Sequence, residues 1–148
     1  EFSGSFQKLA KHYFLLVYNL ICEAKPDVVG HFDLIEKFNE NGPLFNSESR
    51  EYRNAALEVV DGICDISPDI IFEVNTGAMF RCGRSVPYPA KFILERLKER
   101  GMRITVTSDA HCTDALDFAF KSAETLCRSC GFKSAYIITQ NGFSERKI

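Results

Sequence analysis

Apolar positions along this chain fall into two rhythms that take turns. Between Ser5 and Glu23 they recur every third and fourth residue: Phe6, Leu9, Ala10, Tyr13, Phe14, Val17, Leu20 and Ile21. That spacing predicts a helix with a wide buried face, opened by Ser5 as N-cap and stopped at Lys25-Pro26-Asp27. The continuous run Val28-Val29-Gly30-His31-Phe32 predicts a short buried strand, and Asn39 to Ser47 a loop. A second helix is predicted from about Glu48 to Gly62, and Ser67-Pro68-Asp69 breaks the chain. Ile70 to Asn75 reads as a second buried strand, followed by a glycine-containing loop from Thr76 to Pro87. Pro89 suits the first turn of a third helix, with Phe92, Ile93, Leu94 and Leu97 inward and Gly101 closing it. Arg103 to Thr107 predicts a third strand, Asp114 to Cys130 a fourth helix ended by Gly131, and Ala135 to Thr139 a fourth strand. NGFSERKI then reads as a polar tail.

The order is therefore α-β-α-β-α-β-α-β. Strands that alternate with helices and read as unbroken apolar runs predict an α/β fold on a parallel sheet. A length of 148 residues suits one domain, 1–148. Three strands end in polar residues: His31 and Asp33, Glu73 and Asn75, Asp109 and His111. In parallel α/β folds these C-terminal ends share one rim, where sites gather.

Composition narrows the function classes. Thirteen Phe and five Tyr supply a sizeable core. A net charge of −2 offers no basic stripe to a phosphate backbone or an anionic bilayer, so neither nucleic acid nor membrane is an expected partner. No apolar run approaches the roughly 18 residues of a membrane span. Glu1-Phe2-Ser3-Gly4-Ser5 has neither the basic start nor the apolar stretch of a signal peptide. Cys22, Cys64, Cys82, Cys112, Cys127 and Cys130 are irregularly spaced, several in apolar settings, which predicts reduced thiols and a cytoplasmic location. Cys127 and Cys130 have redox or zinc spacing, without a second CxxC or a His pair beside them, and read as structural.

Each candidate for chemistry has two readings when taken alone. His31 is either a structural histidine with one backbone partner or a ligand for zinc, iron or manganese, with Asp33 orienting an imidazole. Asp109 and His111, two apart on extended chain, point to the same side. They are either a helix cap and an idle imidazole or two arms of a metal site. Glu73 and Asn75 share a strand face by the same rule. A carboxylate inside IIFEVN needs a partner, and support beneath the site is the favoured reading over ligation. Arg81 and Arg84 lie beyond the rim, as solvated loop charges or as planar donors for phosphate. His12, between Lys11 and Tyr13 in the first helix, reads as structural.

Together, DVVGHFDLIEKF (27–38), FEVNTGAMFRCGRSVPYPAKFILERL (72–97) and ITVTSDAHCTDAL (104–116) resemble the last three signature segments of the polymerase-and-histidinol-phosphatase (PHP) superfamily. The Asn-Thr-Gly-Ala segment and the Pro-Tyr-Pro before a helix look most like its histidinol-phosphatases. The resemblance runs from about residue 6 to the C-terminus. It implies a distorted (β/α)7 barrel carrying two or three divalent ions (zinc, iron or manganese) at its strand ends. It also implies hydrolysis of a small phosphate monoester, L-histidinol phosphate in this branch. On the matching positions His31, Asp109 and His111 are metal ligands, Asp109 and His111 stand at the catalytic centre, Arg81 grips phosphate and Arg84 is second to it.

The chain departs from that pattern in one respect. The family opens on a His-x-His strand, and this sequence has none; it holds three histidines, one of them His12. It therefore resembles the C-terminal half of the domain, and half a barrel leaves an open sheet edge for another copy or the missing half to cover. Three readings stand. One is a histidinol-phosphatase seen through its C-terminal half and inactive alone. Another is a different PHP phosphoesterase or polymerase-associated nuclease. The third is a non-catalytic truncated module that oligomerises.

Overall fold

A computed structural model of the chain describes residues 6–39 and 44–148. The Ser5 cap, the reading of the first five residues and part of the Asn39–Ser47 loop lie outside them. Helix α1 (Phe6–Ala24) buries Ala10, Phe14 and Ile21. Its apolar face is narrower than the spacing predicts, because Leu20 is 63% exposed and Leu15 and Leu16 are also in solvent. Strand β1 holds only Val28–Val29. It stops short of Phe32 because His31 turns the backbone into the left-handed region at φ 51°, and a 3-10 turn (Leu34–Phe38) follows.

Helix α2 (Arg50–Ile66) starts at Ser49, whose Oγ accepts the Tyr52 N–H at 3.3 Å. It continues past Gly62, where the sequence reading ended it. The glycine there serves packing: a Cβ would come within 2.9 Å of the Tyr18 ring on α1. Strand β2 (Ile71–Asn75) leads into a short helix, α3 (Gly77–Cys82), inside what reads as a loop. Helix α4 (Lys91–Glu99) and strand β3 (Arg103–Thr107) follow. The predicted fourth helix is shorter than its pattern. A 3-10 turn (Thr113–Ala115) comes first, Ala119 adopts φ 59°, and α5 spans Phe120–Ser129. Strand β4 (Ser134–Thr139) is joined by a fifth strand, β5 (Gly142–Lys147). The polar tail is thus an antiparallel edge strand paired with β4. A strand exposed along its length carries no burial signal for sequence to show.

The sheet order is β1-β2-β3-β4-β5, with the first four strands parallel. Strands laid down in sequence order with right-handed crossovers put their helices on one face, as in a βα barrel that has not closed. Alternation along the strands then sorts the side chains. Phe72, Val74 and Ile104 join Phe14, Val60, Ile63, Ile93 and Leu97 in the core under the helices. Glu73, Asn75, Thr105 and Thr107 occupy the opposite face. That face leads up to the C-terminal rim.

Candidate functional site

The rim site starts from two backbone turns. His31 after β1 and Asp109 after β3 both adopt left-handed conformations, at φ 51° and 46°. Non-glycine residues rarely do so, and such turns concentrate at functional positions. Here they aim the two side chains at each other: His31 Nε2 lies 3.4 Å from Asp109 Oδ2.

Glu73, one strand over, fixes His31 from below. Its Oε2 accepts the His31 backbone N–H at 3.0 Å and lies 3.2 Å from the ring Nδ1. Its Oε1 accepts the Thr107 hydroxyl at 2.6 Å. Burial works to raise the Glu73 pKa, but the bonds from His31 and Thr107 outweigh it and hold the carboxyl at about 2. The Glu73 bond in turn raises the His31 pKa against burial. Asn75 lies 3.4 Å from His31 Nε2 and accepts the Gly77 N–H at 2.8 Å. An antiparallel bridge from Asn75 to Tyr88 holds the Tyr88 segment against the end of β2.

Arg81 closes the cluster. Its guanidinium donates to Asp109 Oδ2 and to the Asp109 carbonyl, both at 2.6 Å, and stands 3.0 Å from His111 Nδ1. Burial pushes the Asp109 pKa up, and Arg81 overrides it and brings it below the usual carboxylate value. Gly77 makes this approach possible, since a Cβ there would sit 2.6 Å from the Ser108 carbonyl and 2.9 Å from Arg81 Nη2. His31, Arg81, Asp109 and His111 line one pocket of about 260 Å³, with Leu34, Lys37, Cys82 and Tyr88 around them.

Two sequence-predicted positions lie elsewhere. Asp33 orients no imidazole: it is fully buried, its Oδ2 accepts the Ala90 N–H at 2.8 Å ahead of α4, and burial raises its pKa to about 7. The turn after His31 carries its side chain inward, away from the ring. Arg84 lines a different cleft, with its guanidinium over the Tyr88 ring and Nη1 donating to the Glu36 carbonyl at 2.9 Å. His12 is exposed on α1. Thr107 and Tyr88 are site residues that sequence reasoning missed. Thr107 reads as an ordinary β-branched strand residue; the β2–β3 register places it opposite Asn75 and diagonal to Glu73, on the same face.

The donor set meets a divalent ion halfway. Two ligand atoms each about 2.1 Å from a tetrahedral ion stand roughly 3.4 Å apart, the separation His31 and Asp109 show. His111 does not complete that edge: its Nδ1 is 2.7 Å from the Asp109 carbonyl. Among the described residues no group of three His, Cys, Asp or Glu side chains is arranged to hold a metal. The guanidinium of Arg81 instead stands as the cation beside Asp109.

In this partial parallel α/β barrel imidazole, carboxylate and guanidinium converge at the C-terminal rim, where the active sites of such enzyme folds collect. Comparison with known proteins is specific. The chain is 31% identical over 134 residues to a probable histidinol-phosphatase of Schizosaccharomyces pombe, covering 89% of this chain and 42% of that protein. It is 31% identical over 130 residues to a histidinol-phosphatase of Saccharomyces cerevisiae, covering 75% and 38%. A probable histidinol-phosphatase of Deinococcus radiodurans is 30% identical over 123 residues, covering 83% and 43%. No protein-family model matches the chain. Over most of its length the chain is similar to histidinol-phosphatases. It spans about two fifths of the length of the curated relatives it matches.

Proposed function

We propose that this chain forms the C-terminal portion of a PHP-type histidinol-phosphatase, which hydrolyses L-histidinol phosphate to L-histidinol and phosphate. The carrying observation is the convergence of His31, Arg81, Asp109 and His111 on one rim pocket, in a chain related to histidinol-phosphatases along most of its length. In this reading Arg81 binds the ester's phosphate, since a guanidinium presents paired donors to phosphate oxygens and keeps its charge at every working pH. Its bond to Asp109 Oδ2 keeps it at the same pocket. His31 and Asp109 offer one edge of a divalent-ion site, with zinc, iron or manganese as candidates. Donors from outside this chain complete it, and His111 joins after Arg81 turns to substrate. Such ions supply a hydroxide of lowered pKa and positive charge for a phosphate centre. Glu73 keeps His31 in place by accepting from its backbone and facing its Nδ1.

No helix among the described residues is long and apolar enough to cross a membrane, and the reading takes the enzyme as cytoplasmic with a small-molecule substrate. The open edge at β1 receives the rest of the barrel. The test is complementation: the chain is mixed with, or joined to, the N-terminal portion of the S. pombe relative, and phosphate release from L-histidinol phosphate is measured with metal content. Turnover in the joined protein, with none from the chain alone, supports the reading. A joined protein that binds divalent metal but leaves histidinol phosphate untouched while cleaving nucleotides or DNA ends replaces it with a different phosphoesterase.

A further inference from the structure

Helix α1 carries two apolar seams, and the fold uses one. The first, Ala10, Phe14, Val17 and Ile21, faces the core: Ala10, Phe14 and Ile21 are buried, and Val17 packs against them. The second, Leu9, Tyr13, Leu16 and Leu20, repeats at the same four-three-four spacing, about 100° around the helix from the first. Such spacing makes a continuous stripe that seats a neighbouring helix. Leu9 and Tyr13 are half-buried, but Leu16 is 53% exposed and Leu20 63%. A surface helix needs one apolar face, and a helix with more sits between two partners.

The packing of α1 shows where the second partner belongs. Phe14 meets the Tyr52 ring of α2 at 5.5 Å, and Tyr18 packs on Gly62 of α2. Helix α2 in turn is tied to α4 by Asp61 and Arg96. The helices therefore line up as α1, α2, α4 over strands in the order β1, β2, β3. Helix α1 ends the helix layer on the side where β1 ends the sheet, and among the described residues β1 pairs with β2 alone. Leu16 and Leu20 each lie two residues from Tyr18, about 200° of rotation, so they occupy the flank opposite α2. Tyr13, in the same seam, reaches the chain just past β1, where its hydroxyl donates to the Phe32 carbonyl at 3.2 Å. A strand edge and a helix seam thus lie open side by side. One α/β unit, with its strand beside β1 and its helix along α1, covers both.

We propose that the Leu9–Tyr13–Leu16–Leu20 seam docks an amphipathic helix from a portion of the domain outside this chain, seated together with a strand on β1. The chain spans about two fifths of the length of its relatives, which leaves them ample sequence for such a unit. The proposal takes its partner from the phosphatase reading, but its test reads stability and association. A docked protein without turnover fails that reading alone, and turnover with an unused seam fails this one alone.

The experiment places Leu16→Glu and Leu20→Glu together in the full chain and in the joined protein. Leu15→Glu is the control, since Leu15 is 49% exposed on the same helix but outside the seam. Each protein is unfolded in urea. In the full chain the double variant and the control should both match the wild type, because these leucines stand in water there. In the joined protein the double variant should raise the unfolding constant by roughly tenfold or more per leucine, the effect of returning a buried leucine to water, while the control leaves it unchanged. A double variant that behaves like the control in the joined protein overturns the proposal. Sedimentation examines the other occupant: a full chain that dimerises, and that the double variant returns to monomer, gives the seam to a second copy and also overturns it. If the joined protein does not fold, sedimentation of the full chain mixed with the N-terminal portion of the S. pombe relative decides. Association that the double variant weakens by roughly tenfold or more supports the proposal; no association, or association that the variant leaves intact, overturns it.

Discussion

Two arginine–aspartate pairs in this molecule match in distance and exposure and are opposite in setting. Arg81 Nη2 meets Asp109 Oδ2 at 2.6 Å, with the side chains 35% and 33% exposed. Arg96 Nη2 meets Asp61 Oδ2 at 2.7 Å, at 36% and 29%. The Arg96–Asp61 pair ties α4 to α2, both regular helices; Arg96 Nε also donates to Asp61 Oδ1 at 2.8 Å, and Arg100 adds a third bond at 3.0 Å. The Arg81–Asp109 pair rests on an aspartate in a left-handed turn, with an imidazole 3.4 Å away across a pocket. Distance and exposure do not separate a clamp from a site. The backbone that presents the pair, and what else faces it, do.

Exchanging the two arginines' fates breaks this comparison most sharply. In the joined protein, Arg81→Ala is expected to lower kcat/KM for histidinol phosphate by about 10²–10³-fold, the range for removing one preorganised donor to a developing anion. The thermal midpoint of the variant should stay close to wild type, because exposed pairs contribute about 0–1 kcal/mol. Arg96→Ala should do the reverse, with turnover unchanged and a small loss of stability. Equal turnover losses in the two variants would remove the distinction.

Next in size is the support under the site. Glu73→Ala strips the acceptor from the His31 N–H and the Thr107 hydroxyl. It should cost about 1–3 kcal/mol, the usual consequence of orphaning partly buried donors. Urea unfolding read at constant m checks this. A change in midpoint worth less than about 0.5 kcal/mol would mean that water replaces Glu73 there, and that His31 holds its left-handed turn without it.

The sequence carried the parallel α/β order and the rim positions because both follow from period and register. Val28-Val29, Ile71 to Asn75 and Arg103 to Thr107 are apolar runs that must be strands, and polar residues at their ends fall on one rim by topology. It did not carry α3, because six residues make too little periodicity to distinguish a helix from a glycine-bearing loop. Nor did it carry β5, whose residues are all exposed and bury no alternating face, although Glu145 accepts from Ser134 and Arg146 pairs with Glu124. Within the site, the spacing of Asp109 and His111 was legible, but their actual relation was not. The φ of 46° at Asp109 breaks the extended geometry on which the same-side argument depends. Asp33 shows the same limit. Two residues from His31, it reads as a companion to the ring, yet one left-handed turn sends it to the start of α4.

The smallest effect belongs to the helix clamp, and its pH dependence tests whether that pair acts through charge. The hydrogen bond from Arg96 holds the Asp61 pKa below the ordinary carboxylate value, against burial. A group whose folded pKa is depressed contributes stability above its unfolded pKa, about 3.9 for aspartate, and loses it as pH falls through the lower folded value. Wild type and Asp61→Asn should therefore differ by a constant amount, at most about 1 kcal/mol for so exposed a pair, from neutral pH down to about 5. The difference should begin to shrink at about pH 4, where the unfolded carboxyl takes up its proton, and vanish only below the depressed folded value, where the folded wild-type carboxyl is neutral too. Salt near 0.1 M should shrink it at neutral pH too, since screening acts over about 10 Å at that strength. Chemical denaturation of both proteins across that range measures it. A difference that persists unchanged into acid would assign the Asp61 contribution to hydrogen-bond geometry between α2 and α4 rather than to its charge.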